Sequence, residues 1–273
     1  KEHCKDFEYT IRSFSIFPLF KLGRNFEMQI DNKHIKKQFE KSMQDYDQNA
    51  TVQILMALKM VFELTKISNT FENVLELGSG TGILTKRLAR ELDFKNYFAN
   101  DLVEKSKNYV QNFIPQATFY CGNALKIKPS KKVDLIISNA MFQWFPSFEK
   151  AIQTIKSNLK SNGLLAFSTF SPDNFREITD LTGLSLQYKT KEELEQILKN
   201  EGFEILYSEQ FFEELKFKTP LELLAHMKKT GVNSLSEKTW TITKVKDFCD
   251  KYSKKYPKTK LTYSPIIVIA QKG

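Results

Sequence analysis

Between Val74 and Gly82 the chain reads Val-Leu-Glu-Leu-Gly-Ser-Gly-Thr-Gly. A short apolar run breaks into three alternate glycines, and beyond them Ile83, Leu84, Leu88, Ala89 and Leu92 recur at helical spacing. Such a stretch folds as a strand, a tight turn and a helix. Glycine at 78, 80 and 82 permits positive φ and lets a ligand come closer to the backbone than a Cβ allows. The helix start adds unpaired N–H donors and the positive end of a dipole. Glycine-rich turns without a ligand are also common, so the neighbours of this one decide its meaning.

The deciding neighbour is Asp101, which closes the next strand-like run, Tyr97 to Asp101. A carboxylate at the end of a second parallel strand can accept both ribose hydroxyls of a nucleoside lying across the first turn. The spacing is G-x-G-x-G, not the G-x-G-x-x-G of dinucleotide binders, and Glu76 precedes it on the strand. These residues resemble the first motif of the class I S-adenosylmethionine-dependent methyltransferases. The resemblance implies an α/β, Rossmann-like fold whose seven-stranded, mostly parallel sheet carries helices on both faces, and S-adenosylmethionine as methyl donor. It assigns Glu76, Gly78, Gly80, Gly82 and Asp101 to the cofactor.

The totals fit one sizeable core with an appended subdomain: 273 residues, 41% of them hydrophobic. No apolar run approaches the roughly 18 residues that span a bilayer, so a soluble, cytoplasmic protein is expected. Cys4, Cys121 and Cys249 are few, odd in number and far apart, which suits a reducing compartment. With His3, His34 and His226 they form no metal-ligand spacing, and no metal is expected. The net charge of +9 favours nucleic acid, anionic lipid or an acidic protein, or serves solubility alone. Lysines scattered along the chain, without an arginine-rich block, weaken the nucleic-acid reading.

Residues 1–27 do not look like part of the domain that follows; Met28 is a natural start, and a packed extension strand and a disordered arm are equally open. Two helical segments follow Asp31. Asp47 is the expected N-cap of the second, whose inner face is read as Val52, Leu55, Met56, Lys59 and Phe62. Phe39 to Tyr46 lies between them, and Tyr46 is a candidate cap on the pocket or else a surface tyrosine. Strands and helices then alternate, as in a doubly wound sheet. Further strands are expected at Ala117–Cys121, Val133–Asn139 and Leu164–Phe170, with a helix from Ser147 to Lys160 that Asn162-Gly163 ends. Ligands in such sheets bind beyond the carboxyl ends of the strands, so Gly122-Asn123-Ala124 and Asn139 to Trp144 face the cleft. Asn123 stands where the motif usually has an acid for the adenine amine; its carbonyl still accepts, without charge.

Thr190 and Glu193 form a capping-box pair that starts a helix ending near Gly202. Strand six, broken or whole, runs from Phe203 to Lys218, and the next strand-like run is Leu261 to Gln271. A structureless loop filling that interval would be unusual. Thr219-Pro220-Leu221-Glu222 reads instead as a second capping box opening a helix that ends before Gly231, and another helix, about Thr243 to Tyr256, is stopped by Pro257. This predicts an α-helical lid at about 219–259, inserted between the last two strands; a surface hairpin is the alternative.

Asn139-Ala-Met-Phe-Gln-Trp144 lacks the Asn/Asp-Pro-Pro signature of amine methylation, and no Pro-Cys pair offers the nucleophile for pyrimidine carbon. An oxygen acceptor needs less. A carboxylate is already ionised at neutral pH, so alignment with the sulfonium methyl replaces a general base, and alignment alone supplies about 7 to 11 kcal/mol in favourable cases. Tyr46, Gln143, Trp144 and a lid lysine are candidate donors to it, and aromatic faces stabilise the sulfonium.

Taken together, several stretches narrow the resemblance. They are Asp45-Tyr46 with Ala50 and Gln53, the glycine turn, Asn139 to Trp144, Gly163 with Ala166 to Phe170, Pro220 to Leu224 through Gly231, and Leu261-Thr-Tyr263. The chain is similar, over about residues 30–272, to the malonyl-acyl-carrier-protein O-methyltransferases of biotin synthesis. That likeness implies a domain over 28–273, malonyl-acyl carrier protein as partner, and methylation of its free carboxylate. Tyr46, Gln143 and Trp144 would position the substrate, and Lys229 would touch the carrier or the carboxylate. Ala124, Asn123 and Asn139 complete the cofactor set. Lys228, Lys229, Lys238, Lys244 and Lys246 around the lid suit an acidic carrier, and equally a solvated face. The rival readings are a methyltransferase for another small acid or a lipid, and a non-catalytic RNA-binding or regulatory protein of the same fold.

Overall fold

The computed structural model describes residues 32–230 and 240–273; the segment 1–27 and Lys238 lie outside them. Among the described residues the first helix, α1, spans Asn32–Asn49 and the second, α2, Thr51–Ile67. Phe39 to Tyr46 therefore lies within α1, not between helices. Nor is Asp47 an N-cap: that position belongs to Ala50, which caps through no side chain. Asp47 is instead held by the Thr81 hydroxyl, which donates to its Oδ1. The buried stripe of α2 is Val52, Gln53, Met56, Ala57, Met60, Val61 and Leu64. Lys59 pairs with Glu209, and Phe62 is 62% exposed, so the expected inner face drifts off the core at its C-terminal end.

Alternation then proceeds as expected: β1 (Thr70–Leu77), α3 (Ile83–Glu91), β2 (Asp93–Asp101), α4 (Ser106–Phe113), β3 (Thr118–Cys121) and β4 (Val133–Ser138). Next come α5 (Phe148–Asn158), β5 (Leu159–Phe170), α6 (Arg176–Thr182), α7 (Lys191–Asn200), β6 (Phe203–Gln210) and β7 (Glu213–Lys216). The chain finishes with α8 (Pro220–Lys229), α9 (Ile242–Lys255), β8 (Lys260–Tyr263) and β9 (Pro265–Lys272). The main sheet has seven strands in the order β3-β2-β1-β4-β5-β9-β6. Neighbours from β3 to β5 run parallel, and β9 is antiparallel to both β5 and β6. Strand order reverses between β1 and β4, the place where open α/β sheets leave a crevice.

Apolar layers cover both faces. Met60, Leu64, Leu84, Leu88 and Val110 pack on one side with Val74, Leu135 and Ile137. Ile152, Ile155, Leu194 and Leu198 pack on the other with Leu75, Ile136 and Phe167. A third cluster joins α8 and α9 to α2 and β8 through Leu223, Met227, Val245, Phe248, Val52, Met56 and Tyr263. The two helices thus lie between β6 and β9 in sequence and against the carboxyl end of the sheet in space. His226 of α8 is seated there, its Nε2 2.7 Å from the Tyr263 hydroxyl; burial, with Lys229 nearby, pushes its imidazole down to about 4, so it is neutral.

Three boundaries differ from the sequence reading. Helix α5 stops at Asn158, because Leu159 is wholly buried in a strand; Asn162, at φ +59°, and Gly163 lie inside β5 rather than ending the helix. The run Phe203–Lys218 is two strands in different sheets, since among the described strands β7 pairs with β8 alone. Leu261–Gln271 likewise divides at Ser264, whose N–H bonds to Asn174 Oδ1. The Thr190–Glu193 capping box forms in full. At Thr219 only half forms, because Glu222 Oε2 accepts from Lys218 N–H.

Buried Glu177 fastens the small sheet: its Oε2 accepts from Thr262 N–H (3.0 Å) and its Oε1 from the Thr262 hydroxyl (2.5 Å). Glu177→Ala strands two buried donors, and an unpaired buried polar group costs about 1–3 kcal/mol. Urea unfolding should register a loss of that size; a change within a few tenths of a kcal/mol would contradict this account of Glu177.

Candidate functional site

The turn after β1 is built by backbone conformations that glycine favours. Gly78, Gly80 and Gly82 have φ of +71°, +53° and +81°. A Cβ on Gly78 would also stand 2.6 Å from Met141 Cγ, so any side chain there pushes the β4 loop away. Gly78 and Ser79 both donate their N–H to Asn100 O (2.9 and 3.0 Å). Gly80 N–H donates to Asp101 Oδ2, and Val103 N–H to Asp101 Oδ1, each at 2.8 Å. Burial pushes the Asp101 carboxyl up, while these N–H groups pull it back toward the ionised form. Asn100 Nδ2 reaches on to Tyr120 O and Gly122 O, both 2.9 Å, drawing the end of β3 beside β2.

Tyr46, Gly78, Gly80, Asp101, Asn123, Ala124, Asn139 and Trp144 line one cleft at these strand ends. Asn123 Oδ1 accepts from Leu125 N–H (2.9 Å) and so caps the 3-10 turn Ala124–Lys126. Asn139 Nδ2 donates to Gln53 O (3.0 Å), and its Oδ1 accepts from Ser168 Oγ (2.6 Å). Helix α1 forms the roof. Its Phe39 ring lies 6.3 Å from the Tyr46 ring and 6.1 Å, edge-on, from that of Trp144. Tyr46 is half-buried, and burial, then Asp47 and Asp101, raises its phenol well above the usual range.

Four residues singled out in the sequence stand outside the lining. Gly82 is the N-cap of α3, backed by the Phe113 ring. Gln143 turns away and donates Nε2 to Ala140 O (2.6 Å), bracing a residue at φ +52°. Lys229 is exposed at the end of α8. Glu76 is wholly buried beneath the turn, its Oε2 accepting from Thr85 Oγ1 and Tyr97 OH at 2.6 Å each. Sequence reading assigned no role to Lys36, Phe39 or Ser79 on the lining, and gave Gln53 none beyond the resemblance. A signal for Gln53 exists: it is an amide in an otherwise apolar stripe.

Several buried polar atoms of the lining have no hydrogen-bond partner among the described residues: Gln53 Oε1, Ser79 Oγ and Trp144 Nε1. Such groups are costly to bury unpaired and mark places where a ligand completes the bonding. With a carboxylate at the end of β2 and aromatic rings overhead, they fit a nucleoside bearing a sulfonium. No cluster of three or more His, Cys, Asp or Glu able to hold a metal occurs among the described residues.

Glu76 supplies a pH prediction. Burial lifts its carboxyl from 4.5 to about 7, against the bonds from Thr85 and Tyr97. The folded state therefore holds a proton that the unfolded chain has released, and its contribution to stability is present at low pH and lost as pH rises through about 7. Comparing urea midpoints of the wild type and Glu76→Gln from pH 5 to 8, the wild type should lose stability relative to the variant by on the order of 3 kcal/mol. A constant difference across that window would contradict the assignment.

A family model for a methyltransferase domain matches residues 49–208. Malonyl-acyl-carrier-protein O-methyltransferase of Haemophilus influenzae is 33% identical over 248 residues, covering 89% of this chain and 95% of the relative. The enzyme of the same name from Bacteroides thetaiotaomicron is 37% identical, with 87% and 97% covered. Among solved structures, N-methyltransferase NodS from Bradyrhizobium japonicum, in complex with S-adenosyl-L-homocysteine, superposes with a TM-score of 0.53 at 12% identity, covering 88% of this chain and 98% of that one. That likeness concerns the fold, and the fold is the class I methyltransferase one. The glycine turn, Asp101 and these near full-length similarities lead to one conclusion: the chain belongs to the malonyl-acyl-carrier-protein O-methyltransferase family, within the S-adenosylmethionine-dependent methyltransferases.

Proposed function

We propose that the protein transfers the methyl group of S-adenosylmethionine to the free carboxylate of a malonyl group carried on acyl carrier protein. The observation that carries the reading is what the cleft lacks. Among the described residues lining it, Asp101 is the only carboxylate and there is no histidine or cysteine. Asp101 is tied to the turn by Gly80 and Val103. An acceptor that had to lose a proton would find no base; a carboxylate has none to lose. Its oxygen forms the C–O bond as the C–S electrons return to sulfur, so sulfonium and carboxylate charges cancel together. Charge cancellation is favoured where water is excluded, and Phe39, Tyr46 and Trp144 supply such walls.

In this reading Asp101 takes the ribose hydroxyls, Asn123 and Ala124 border the adenine, and the turn at Gly78 and Gly80 lies under the cofactor. Glu76 and Gly82 act one layer below, by shaping that turn. Tyr46 and Trp144 offer O–H and N–H to the acceptor carboxylate, while Gln143 fixes the loop that carries Trp144. Residues 28–273 form one domain, with α8 and α9 as a lid. Lys229, exposed on α8, and Lys228 beside Lys41 of α1 set a positive edge toward an acidic carrier. Methylation hides the malonyl charge, the task that the resemblance places in biotin synthesis.

Three outcomes test these assignments. The methyl group transferred to malonyl carrier from labelled S-adenosylmethionine should be released by mild alkali as volatile methanol, as from a methyl ester; label that stays non-volatile after the carrier thioester is also hydrolysed would contradict carboxylate transfer. Asp101→Ala should weaken cofactor binding by about 1–3 kcal/mol, the worth of hydrogen bonds to a charged acceptor; unchanged affinity by calorimetry would move the ribose elsewhere. Charge reversal of Lys228 and Lys229 to glutamate should raise KM for the carrier several-fold at low salt and less at high salt. A KM that does not move would put the carrier on another face.

A further inference from the structure

Gln53 is the polar exception on the buried face of α2. It is 4% exposed, its Oε1 has no hydrogen-bond partner among the described residues, and it lines the cleft. The groups around it are already committed. Its own carbonyl oxygen takes Asn139 Nδ2, Asn139 Oδ1 takes the Ser168 hydroxyl, and Ser168 Oγ takes Ala140 N–H (2.9 Å). That chain of bonds uses only the main-chain carbonyl of Gln53 and leaves its side-chain Oε1 to a partner from outside.

The cleft also has a direction. Its strand ends follow one another as β3, β2, β1 and β4. With the ribose at Asp101 after β2 and the base at Asn123 and Ala124 after β3, the remainder of the cofactor runs the other way. It crosses the glycine turn after β1 and arrives beyond β4, where Asn139 and Gln53 meet. The group that arrives is an α-amino acid, an ammonium and a carboxylate on one carbon.

We propose that the Gln53 side-chain amide receives this zwitterionic end, Oε1 accepting from the ammonium and Nε2 donating to the carboxylate. The inference rests on the cofactor reading above and extends it to a residue that reading leaves without a role. An amide carries one acceptor and one donor group and no net charge, so it answers both ends of a zwitterion at once. A lysine or glutamate at the same buried place would answer one end and repel the other.

Two ligands separate recognition from packing. S-adenosylhomocysteine and 5′-methylthioadenosine share adenine, ribose and thioether, and only the first has the amino-acid end. Calorimetric titration of the full chain should show Gln53→Met raising the Kd of S-adenosylhomocysteine about tenfold or more, while the Kd of methylthioadenosine stays within about twofold. Gln53→Glu, closer in shape, should show the same selective loss. Equal weakening of both ligands in both variants would make Gln53 a packing residue and overturn the proposal, as would unchanged affinity for S-adenosylhomocysteine. Failure of the cofactor reading looks different: the wild-type chain then binds neither compound.

Discussion

The cleft depends on how one carboxylate is held. Asp101 stands at the end of β2 with each oxygen taken by a backbone N–H, one from the turn after β1 and one from the turn after its own strand. Those two bonds offset the cost of burying the carboxylate and set the spacing between adjacent strand ends. Asn100, the residue before it, does the same work on either side, accepting from Gly78 and Ser79 and donating to the carbonyls of Tyr120 and Gly122. Three strand ends are thereby fixed by two consecutive residues, through the Asp101 carboxylate and both the main-chain carbonyl and the side-chain amide of Asn100. The positive-φ glycines follow from this, because only a tight turn brings Gly80 N–H back onto Asp101.

Above that rigid floor the walls come from elsewhere in the chain. The roof is α1, fastened to the turn by Asp47 and Thr81 and packed on α8. The far wall is the loop after β4, strained at Ala140 and braced by Gln143 and Ser168. Strain of this kind persists where surrounding bonds over-determine it. Here it aims Met141 at Gly78 and Trp144 into the cleft, so the loop that carries Trp144 is also the one that forbids a side chain at Gly78.

The parts legible in the sequence were those whose causes are local. The glycine turn, the carboxylate ending β2 and the Thr190–Glu193 box each declare themselves within a few residues, and the alternation of strands and helices follows from periodicity. What escaped was decided by partners far along the chain. Asp47 has the chemistry of an N-cap, but Thr81, distant in sequence, claims its oxygen. Gln143 sits in a motif that points at substrate, yet its amide is spent on Ala140. Asn162-Gly163 reads as a helix stop, but burial of Leu159 ends the helix earlier and puts the pair inside a strand. The division of Phe203–Lys218 depends on β8, which lies beyond two helices.

The central claim is that this cleft joins a sulfonium methyl to a carboxylate delivered on a carrier. The measurement that meets it most directly is the intact mass of malonyl-acyl carrier protein after incubation with the protein and S-adenosylmethionine, beside acetyl carrier and malonyl coenzyme A as acceptors. The account predicts the gain of a single methyl group on the malonyl carrier and none on the acetyl carrier, which has no free carboxylate. Methyl gain on the acetyl carrier, or none on the malonyl carrier while the cofactor binds, would contradict it.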